Sequence, residues 1–173
     1  MTKAELRKKY LNVRDKIQNR DLKNKLILDF LLGLEEVKKA SLILTYVSFD
    51  SEVDTIEFIK EMLKEKSVAV PKIEGDQMKF YLISSLDELK MGTFNILEPT
   101  TNQRVTDFSN SICVVPGVCF NSSGYRIGYG KGYYDKFLAN YPGYTIGLCY
   151  QECLIEDSFQ EERDIKVKQI VFK

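Results

Sequence analysis

One segment, GYRIGYGKGYYD at residues 124–135, combines glycines, cations and an acid in a pattern that could bind an anion. Its three closely spaced glycines alternate with Tyr129 and Lys131. Such glycines let backbone N–H groups converge on a phosphate, while a following helix and a lysine add positive charge. The spacing matches neither the Walker A loop nor the dinucleotide fingerprint. The segment therefore predicts a local anion site, with a purely structural strand–helix connection as the alternative.

A second set of cations lies on a predicted first helix at residues 2–20. Lys3, Arg7 and Arg14 fall within roughly 40° of one another on this helix, beside its apolar stripe. Three cations at the border of a buried face could contact an anion held elsewhere in the fold. The alternative is a solvated helix edge whose aliphatic stems cover the core.

The residue types restrict the chemistry further. The chain has no histidine, which excludes a Ser-His-Asp triad and His-liganded zinc. Acid–base work must fall to Asp, Glu, Lys or Tyr. A metal site would be rich in oxygen ligands, which favours magnesium or calcium.

Length and charge indicate one globular domain, residues 1–173, with no general affinity for polyanions. The 173 residues are 44% hydrophobic and carry 25 basic and 25 acidic side chains. A nucleic-acid or anionic-membrane binder is normally basic, so we expect neither partner. The opening MTKAELRKKY lacks the apolar segment of a signal peptide, and the four cysteines lie among apolar neighbours. We therefore expect buried, reduced thiols in a cytoplasmic monomer.

Segments typical of strands alternate with segments typical of helices. This alternation predicts an α/β fold, a single three-layer domain with a largely parallel, Rossmann-like central sheet. The predicted helices are residues 2–20, a second helix after Asp21, residues 54–66, a short helix at 85–88, and residues 131–140. The predicted strands are residues 41–49, 67–70 (stopped near Pro71), 77–84, 111–120, 144–150 and 164–172.

The full sequence around the glycines is more informative than their spacing alone. PGVCFNSSGYRIGYGKGYYDKFL closely resembles the signature of the 5-formyltetrahydrofolate cyclo-ligase family, also called 5,10-methenyltetrahydrofolate synthetases. Three further segments resemble the family in the same order: KAELR followed by Arg14, then YVSFDSEVDT, then MGTFNILEP. The resemblance implies conversion of 5-formyltetrahydrofolate into 5,10-methenyltetrahydrofolate with ATP and Mg2+, releasing ADP and phosphate. The formyl oxygen is phosphorylated, and N10 then closes the ring.

The resemblance also implies roles for individual residues. Lys131 and Arg126 would be catalytic. Asp135 and Asp164 would bind Mg2+. The residues implied to bind ATP are Lys3, Arg7, Arg14, Arg126, Ile127, Gly128, Tyr129, Gly130, Lys131, Gly132, Tyr133 and Tyr134. Those implied to bind the folate are Val47, Glu52, Phe94, Tyr129 and Lys131.

Each of the less certain assignments has a structural alternative. Asp135 could instead form an i,i+4 pair with Lys131, and Glu52 could be a solvated loop residue near a helix start. Phe94 could be a core aromatic, and Asp164 a surface acid paired with a lysine. Two other functions also remain open for the whole chain. One is a non-catalytic nucleotide- and folate-binding module, and the other is a relative of sugar-phosphate isomerases or CoA-transferases that needs no ATP.

Overall fold

The computed structural model describes residues 1–173, in which helices and strands alternate along most of the chain. The five α-helices are α1 (Lys3–Asp15), α2 (Arg20–Gly33), α3 (Glu35–Lys39), α4 (Ile56–Leu63) and α5 (Tyr133–Leu138). The strands are β1 (Leu42–Thr45), β2 (Ser67–Glu74), β3 (Gln77–Ile83), β4 (Leu89–Met91), β5 (Leu97–Pro99), β6 (Ser111–Val115), β7 (Cys119–Asn121), β8 (Arg126–Ile127), β9 (Tyr144–Cys149), β10 (Leu154–Ile155) and β11 (Gln169–Phe172).

The central sheet has six strands in the order β11-β9-β6-β1-β2-β3. Its first five strands are parallel, and only β3 runs antiparallel to its neighbour β2. The predicted α/β fold with a largely parallel sheet is therefore confirmed. A three-stranded sheet, β10-β7-β8, and the two-stranded hairpin β4-β5 complete the strands.

Two apolar clusters cover the two faces of the central sheet, because side chains alternate along each strand. Ile43 of β1 packs with α2, α3 and α4, whereas Leu44 faces α1, α5 and the small sheet. Helix α1 begins with a capping box: Glu5 N–H donates to the Thr2 side chain, and Thr2 N–H donates to the Glu5 carboxylate. This layering fixes α1 against the face from which the glycine loop emerges.

Several predicted boundaries were wrong. Strand β2 continues through Pro71 to Glu74. It can do so because β1 pairs with it only as far as Ala69, so a missing N–H beyond that point costs no parallel ladder bond. The predicted strand 111–120 is two strands, β6 and β7, which belong to different sheets on either side of Pro116. The first helix ends at Asp15.

The cysteines are all buried and unpaired, as predicted. Burial in apolar surroundings raises the pKa of each thiol. No helix combines the length and apolar character needed to cross a membrane.

Candidate active site

A cleft of about 1060 Å³ opens at the carboxyl ends of the parallel strands. Tyr46 and Val47, which directly follow β1, and Pro116 and Gly117, which directly follow β6, line it. Ligands of open α/β sheets bind at this edge. We refer to this cavity as the ligand cleft.

The glycine loop, residues 128–132, forms one side of the ligand cleft between β8 and α5. Gly130 has a φ of +97° and Gly132 a φ of +73°, a left-handed conformation that glycine adopts without strain. A Cβ on Gly130 would lie 3.5 Å from the Arg7 guanidinium. The loop therefore curves tightly beside a cation of α1, as an anion site requires.

Two of the three predicted cations of α1 reach the ligand cleft. Lys3 and Arg7 both line it, and Arg7 Nε donates to the Gly128 carbonyl at 2.6 Å. Arg14 does not line the cleft and is only 2% exposed. It lies about 16 Å from Lys3 along the helix, at a rise of about 1.5 Å per residue. The shared helical face thus leads to the cleft at one end and into the interior at the other.

Arg126 is a buried cation with incomplete hydrogen bonding. Its Nη1 donates to the Pro116 carbonyl at 3.3 Å, and its guanidinium lies 5.0 Å from the centre of the Tyr134 ring. Arg126 Nε and the Tyr134 hydroxyl have no partner although both atoms are buried. Burial lowers the pKa of Arg126. A desolvated cation with an unused donor at the wall of a cleft is suited to an anionic ligand.

Glu52 lies in the loop between β1 and α4, on another wall of the ligand cleft. It is 7% exposed, and its Oε1 accepts a hydrogen bond from Phe49 N–H at 3.0 Å. Burial raises the pKa of Glu52 to about 7. Glu52 is therefore not a solvated loop residue, and the structural alternative for it is wrong. The carboxylate can accept hydrogen bonds from N–H groups of a ligand.

Phe94 and Lys131 lie next to each other in the ligand cleft. Phe94 lies at the tip of the β4-β5 hairpin with a φ of +60°, and Lys131 Nζ is 5.6 Å from the centre of its ring. Because Phe94 is half exposed and lines the cleft, it is not a core aromatic. Its ring is available for stacking with a planar ligand.

The two predicted metal ligands both line the ligand cleft. Asp135 Oδ1 accepts a hydrogen bond from Ile165 N–H at 3.2 Å, and Asp135 forms no ion pair with Lys131. Asp164 Oδ2 accepts from Lys3 Nζ at 2.5 Å, and its side chain is only 10% exposed. No group of three or more acidic or Cys side chains is arranged to hold a metal. Because Mg2+ is commonly bound by one or two carboxylates plus phosphate and water oxygens, these two aspartates fit that ion.

The ligand cleft thus includes every predicted site residue except Arg14, from Lys3 on α1 through residues 126–135 to Asp164. The sequence did not single out Tyr46 or Phe49, which also line it. Phe49 lies within the YVSFDSEVDT segment, and its ring centre is 5.6 Å from that of Tyr129. A search for aromatic residues within the matching segments could have found both.

These features define an α/β protein in which one cleft combines a glycine loop beside cations with a second surface that carries Glu52 and Phe94. Residues 1–173 match the sequence model of the 5-formyltetrahydrofolate cyclo-ligase family. The chain belongs to that family, which confirms the resemblance and the predicted class of enzyme, a cyclo-ligase.

Individual relatives agree with this assignment. A 5-formyltetrahydrofolate cyclo-ligase of Haemophilus influenzae is 30% identical over 149 residues, which cover 81% of this chain and 80% of the relative. The NMR structure of Aquifex aeolicus 5,10-methenyltetrahydrofolate synthetase is 35% identical, with a TM-score of 0.89 over 99% of this chain and 90% of that one. A synthetase structure from Mycoplasma pneumoniae, 24% identical with a TM-score of 0.79 and 98% coverage of both chains, shares the fold.

Proposed function

We propose that this chain converts 5-formyltetrahydrofolate into 5,10-methenyltetrahydrofolate in a reaction that consumes ATP and needs Mg2+. The observation that carries the proposal is the meeting of two unlike surfaces in the ligand cleft. Lys3, Arg7 and the glycine loop form a cationic surface suited to phosphates. Glu52 and Phe94 form a surface suited to a flat heterocycle with N–H donors.

The cationic surface would bind ATP and orient its terminal phosphate. Lys3 and Arg7 supply charge-assisted hydrogen bonds, and residues 126–134 approach the nucleotide with their backbone. Lys131 and Arg126 stabilise the negative charge of the transferred phosphoryl group. Asp135 and Asp164 would hold Mg2+, which supplies neutralisation of charge on the phosphate oxygens. Lys3 would then exchange its Asp164 contact for a phosphate.

The folate surface would place the formyl oxygen in line with that phosphoryl group. Glu52 accepts hydrogen bonds from the pterin, Val47 and Tyr129 contact the substrate, and Phe94 stacks on the ring. Transfer of the phosphoryl group to the formyl oxygen converts a poor leaving group into phosphate. N10 then attacks the formyl carbon, the C–O bond breaks, and N10 loses its proton. The protein contributes alignment and charge stabilisation, for which no histidine is needed.

The proposal extends to the domain organisation, oligomeric state and location of the chain. We propose that the chain acts as one domain and as a monomer in the cytoplasm. The ligand cleft is built from a single copy of the chain, and all four thiols are buried and unpaired. The zero net charge agrees with small-molecule partners rather than nucleic acid.

The test is incubation with 5-formyltetrahydrofolate, with and without Mg-ATP, while the methenyl chromophore and ADP are measured together. Product is expected only when both ATP and a divalent cation are present, with one ADP per methenyl group. Undiminished product without nucleotide would contradict the proposal. Binding of both ligands without ADP or methenyl product would support the non-catalytic module instead. The exposed Lys8, replaced by methionine, provides a matched control for substitutions of the α1 cations.

A further inference from the structure

Arg14 occupies an unusual position for a cation, inside the protein and in contact with segments that line the ligand cleft. It is 2% exposed. Its Nε donates to Ser51 Oγ at 2.8 Å, its Nη2 donates to the Tyr129 hydroxyl at 2.6 Å, and its Nη1 lies 3.4 Å from the Gly117 carbonyl. One planar guanidinium therefore joins three segments: the loop between β1 and α4 that carries Ser51 and Glu52, here called the Glu52 loop, the glycine loop, and the end of β6. Because the donors of a guanidinium have a fixed planar geometry, they constrain the relative positions of their partners more strictly than a lysine ammonium would.

The folate side of this bridge is reinforced by a second arginine. Arg20 Nη1 donates to the Ser51 carbonyl at 2.8 Å, and Arg20 Nη2 donates to the Arg14 carbonyl at 2.5 Å. Ser51 is thus held through both its side chain and its backbone. The next residue is Glu52, so these contacts fix the point from which the Glu52 side chain enters the cleft.

The nucleotide side of the bridge acts on Tyr129, in the middle of the glycine loop. The Tyr129 ring lies 5.6 Å from the Phe49 ring and 5.8 Å from the centre of the Arg14 guanidinium. Tyr129 itself is 42% exposed and lines the cleft. The hydrogen bond to its hydroxyl therefore comes from Arg14, and the aromatic contact to its ring comes from Phe49 in the Glu52 loop.

We propose that Arg14 is a positioning residue that fixes the Glu52 loop and the glycine loop relative to each other, so that binding of one substrate favours binding of the other. The inference rests on the proposed function, because it assigns ATP to one loop and the folate to the other. Arg14 contacts neither substrate. A ligand that orders either loop reduces the conformational freedom that the second ligand must remove, which gives positive coupling.

Arg14 also acts on Glu52 through its charge. Burial raises the pKa of Glu52, the hydrogen bond from Phe49 N–H lowers it, the charge of Arg14 lowers it further, and Asp50 raises it. The other titratable groups that face Glu52 are Tyr46 after β1, Tyr129 in the glycine loop and Tyr134 on α5. These are neutral near pH 7, because burial raises the pKa of each tyrosine. Arg14 therefore adds to the effect of the Phe49 hydrogen bond and favours the ionised form of Glu52.

Calorimetry measures the affinity for 5-formyltetrahydrofolate with and without a non-hydrolysable Mg-ATP analogue. It also measures the affinity for the analogue with and without 5-formyltetrahydrofolate. The coupling is the factor by which one ligand raises the affinity for the other. Coupling of at least about fivefold is expected in the parent. It should fall to about onefold in Arg14→Lys, which keeps the charge but loses the fork. Ser51→Ala and Tyr129→Phe, which each remove one end of the bridge, should reduce coupling even if Arg14→Lys fails to fold. Lys8→Met should behave as the parent.

A pH series separates positioning from a merely structural role. The pH midpoint of folate binding should rise in Arg14→Met and stay near the parent value in Arg14→Lys. Unchanged coupling in Arg14→Lys, or a parent that binds both ligands without coupling, would overturn the inference and leave the proposed function intact. A parent that binds neither ligand would overturn both.

Discussion

Replacement of Glu52 by glutamine is expected to stabilise the ligand-free protein at pH 8 while weakening its binding of the folate. Glu52 is buried, and burial raises its pKa from 4.5 to about 7. The native state therefore holds a proton between these values that the unfolded chain has released. Stability consequently falls as pH rises through this window.

The size of this effect follows from the difference between the two pKa values. A difference of about 2.5 corresponds to roughly 3 kcal/mol of unfolding free energy lost between pH 4.5 and pH 7. Glutamine keeps the size of the side chain, and its carbonyl oxygen can still accept the hydrogen bond from Phe49 N–H. Glu52→Gln should therefore lack the pH slope and be more stable than the parent at pH 8 by up to about 3 kcal/mol.

Denaturant unfolding of both proteins at pH 5 and pH 8 measures this difference. Glu57→Gln is the matched control, because Glu57 lies nearby on α4 but is exposed and pairs only with Lys60 on the surface. Equal stability of Glu52→Gln and parent at pH 8 would refute the reasoning about burial. Folate affinity supplies the second arm. It should rise through about pH 7 in the parent as the carboxylate forms, and should be weaker and flat in Glu52→Gln.

Four further substitutions test the cationic side of the ligand cleft. Arg7→Ala should weaken ATP binding by about 1.5–3 kcal/mol, or roughly 13- to 160-fold, in a protein that still folds; unchanged ATP affinity by calorimetry would argue for a solvated edge. Gly130→Ala should impair ATP binding because its φ of +97° disfavours any Cβ, and normal affinity would show that the loop tolerates one. Lys131→Ala should lower kcat more than ATP affinity in steady-state assays, whereas a pure loss of affinity would assign it to ground-state binding. Asp135→Asn should raise the Mg2+ concentration needed for half-maximal activity, and a normal titration of a folded, active variant would remove Asp135 from the metal site.

The glycine loop and the two outer cations of α1 could be predicted because their residue types carry the chemistry directly. Glycines next to Lys131 indicate anion binding wherever the loop lies, and helical periodicity places Lys3 and Arg7 together. The same periodicity grouped Arg14 with them, and the family resemblance assigned it to the nucleotide. Its environment depends on Ser51 and on residues 117 and 129, which only the tertiary fold brings together.

Strand boundaries failed for a related reason. Pro71 predicts the end of a strand from its own backbone, but the outcome depends on where the neighbouring β1 stops pairing. The short β4-β5 hairpin carries no strong alternation of apolar residues, so its existence was missed although Phe94 at its tip was singled out. Local sequence determined the central elements of the sheet, whereas the extent of pairing with β1 and β3 determined where β2 ends.

The contact between Lys3 and Asp164 joins residues 161 positions apart in the chain. During synthesis α1 leaves the ribosome first, and Asp164 follows roughly 8–32 s later at ordinary elongation rates. A nascent chain therefore carries the cations of the proposed nucleotide site long before the acid that pairs with one of them. ATP bound there as proposed would stabilise the native arrangement only after nearly the whole chain has been made, so it would assist a late step of folding.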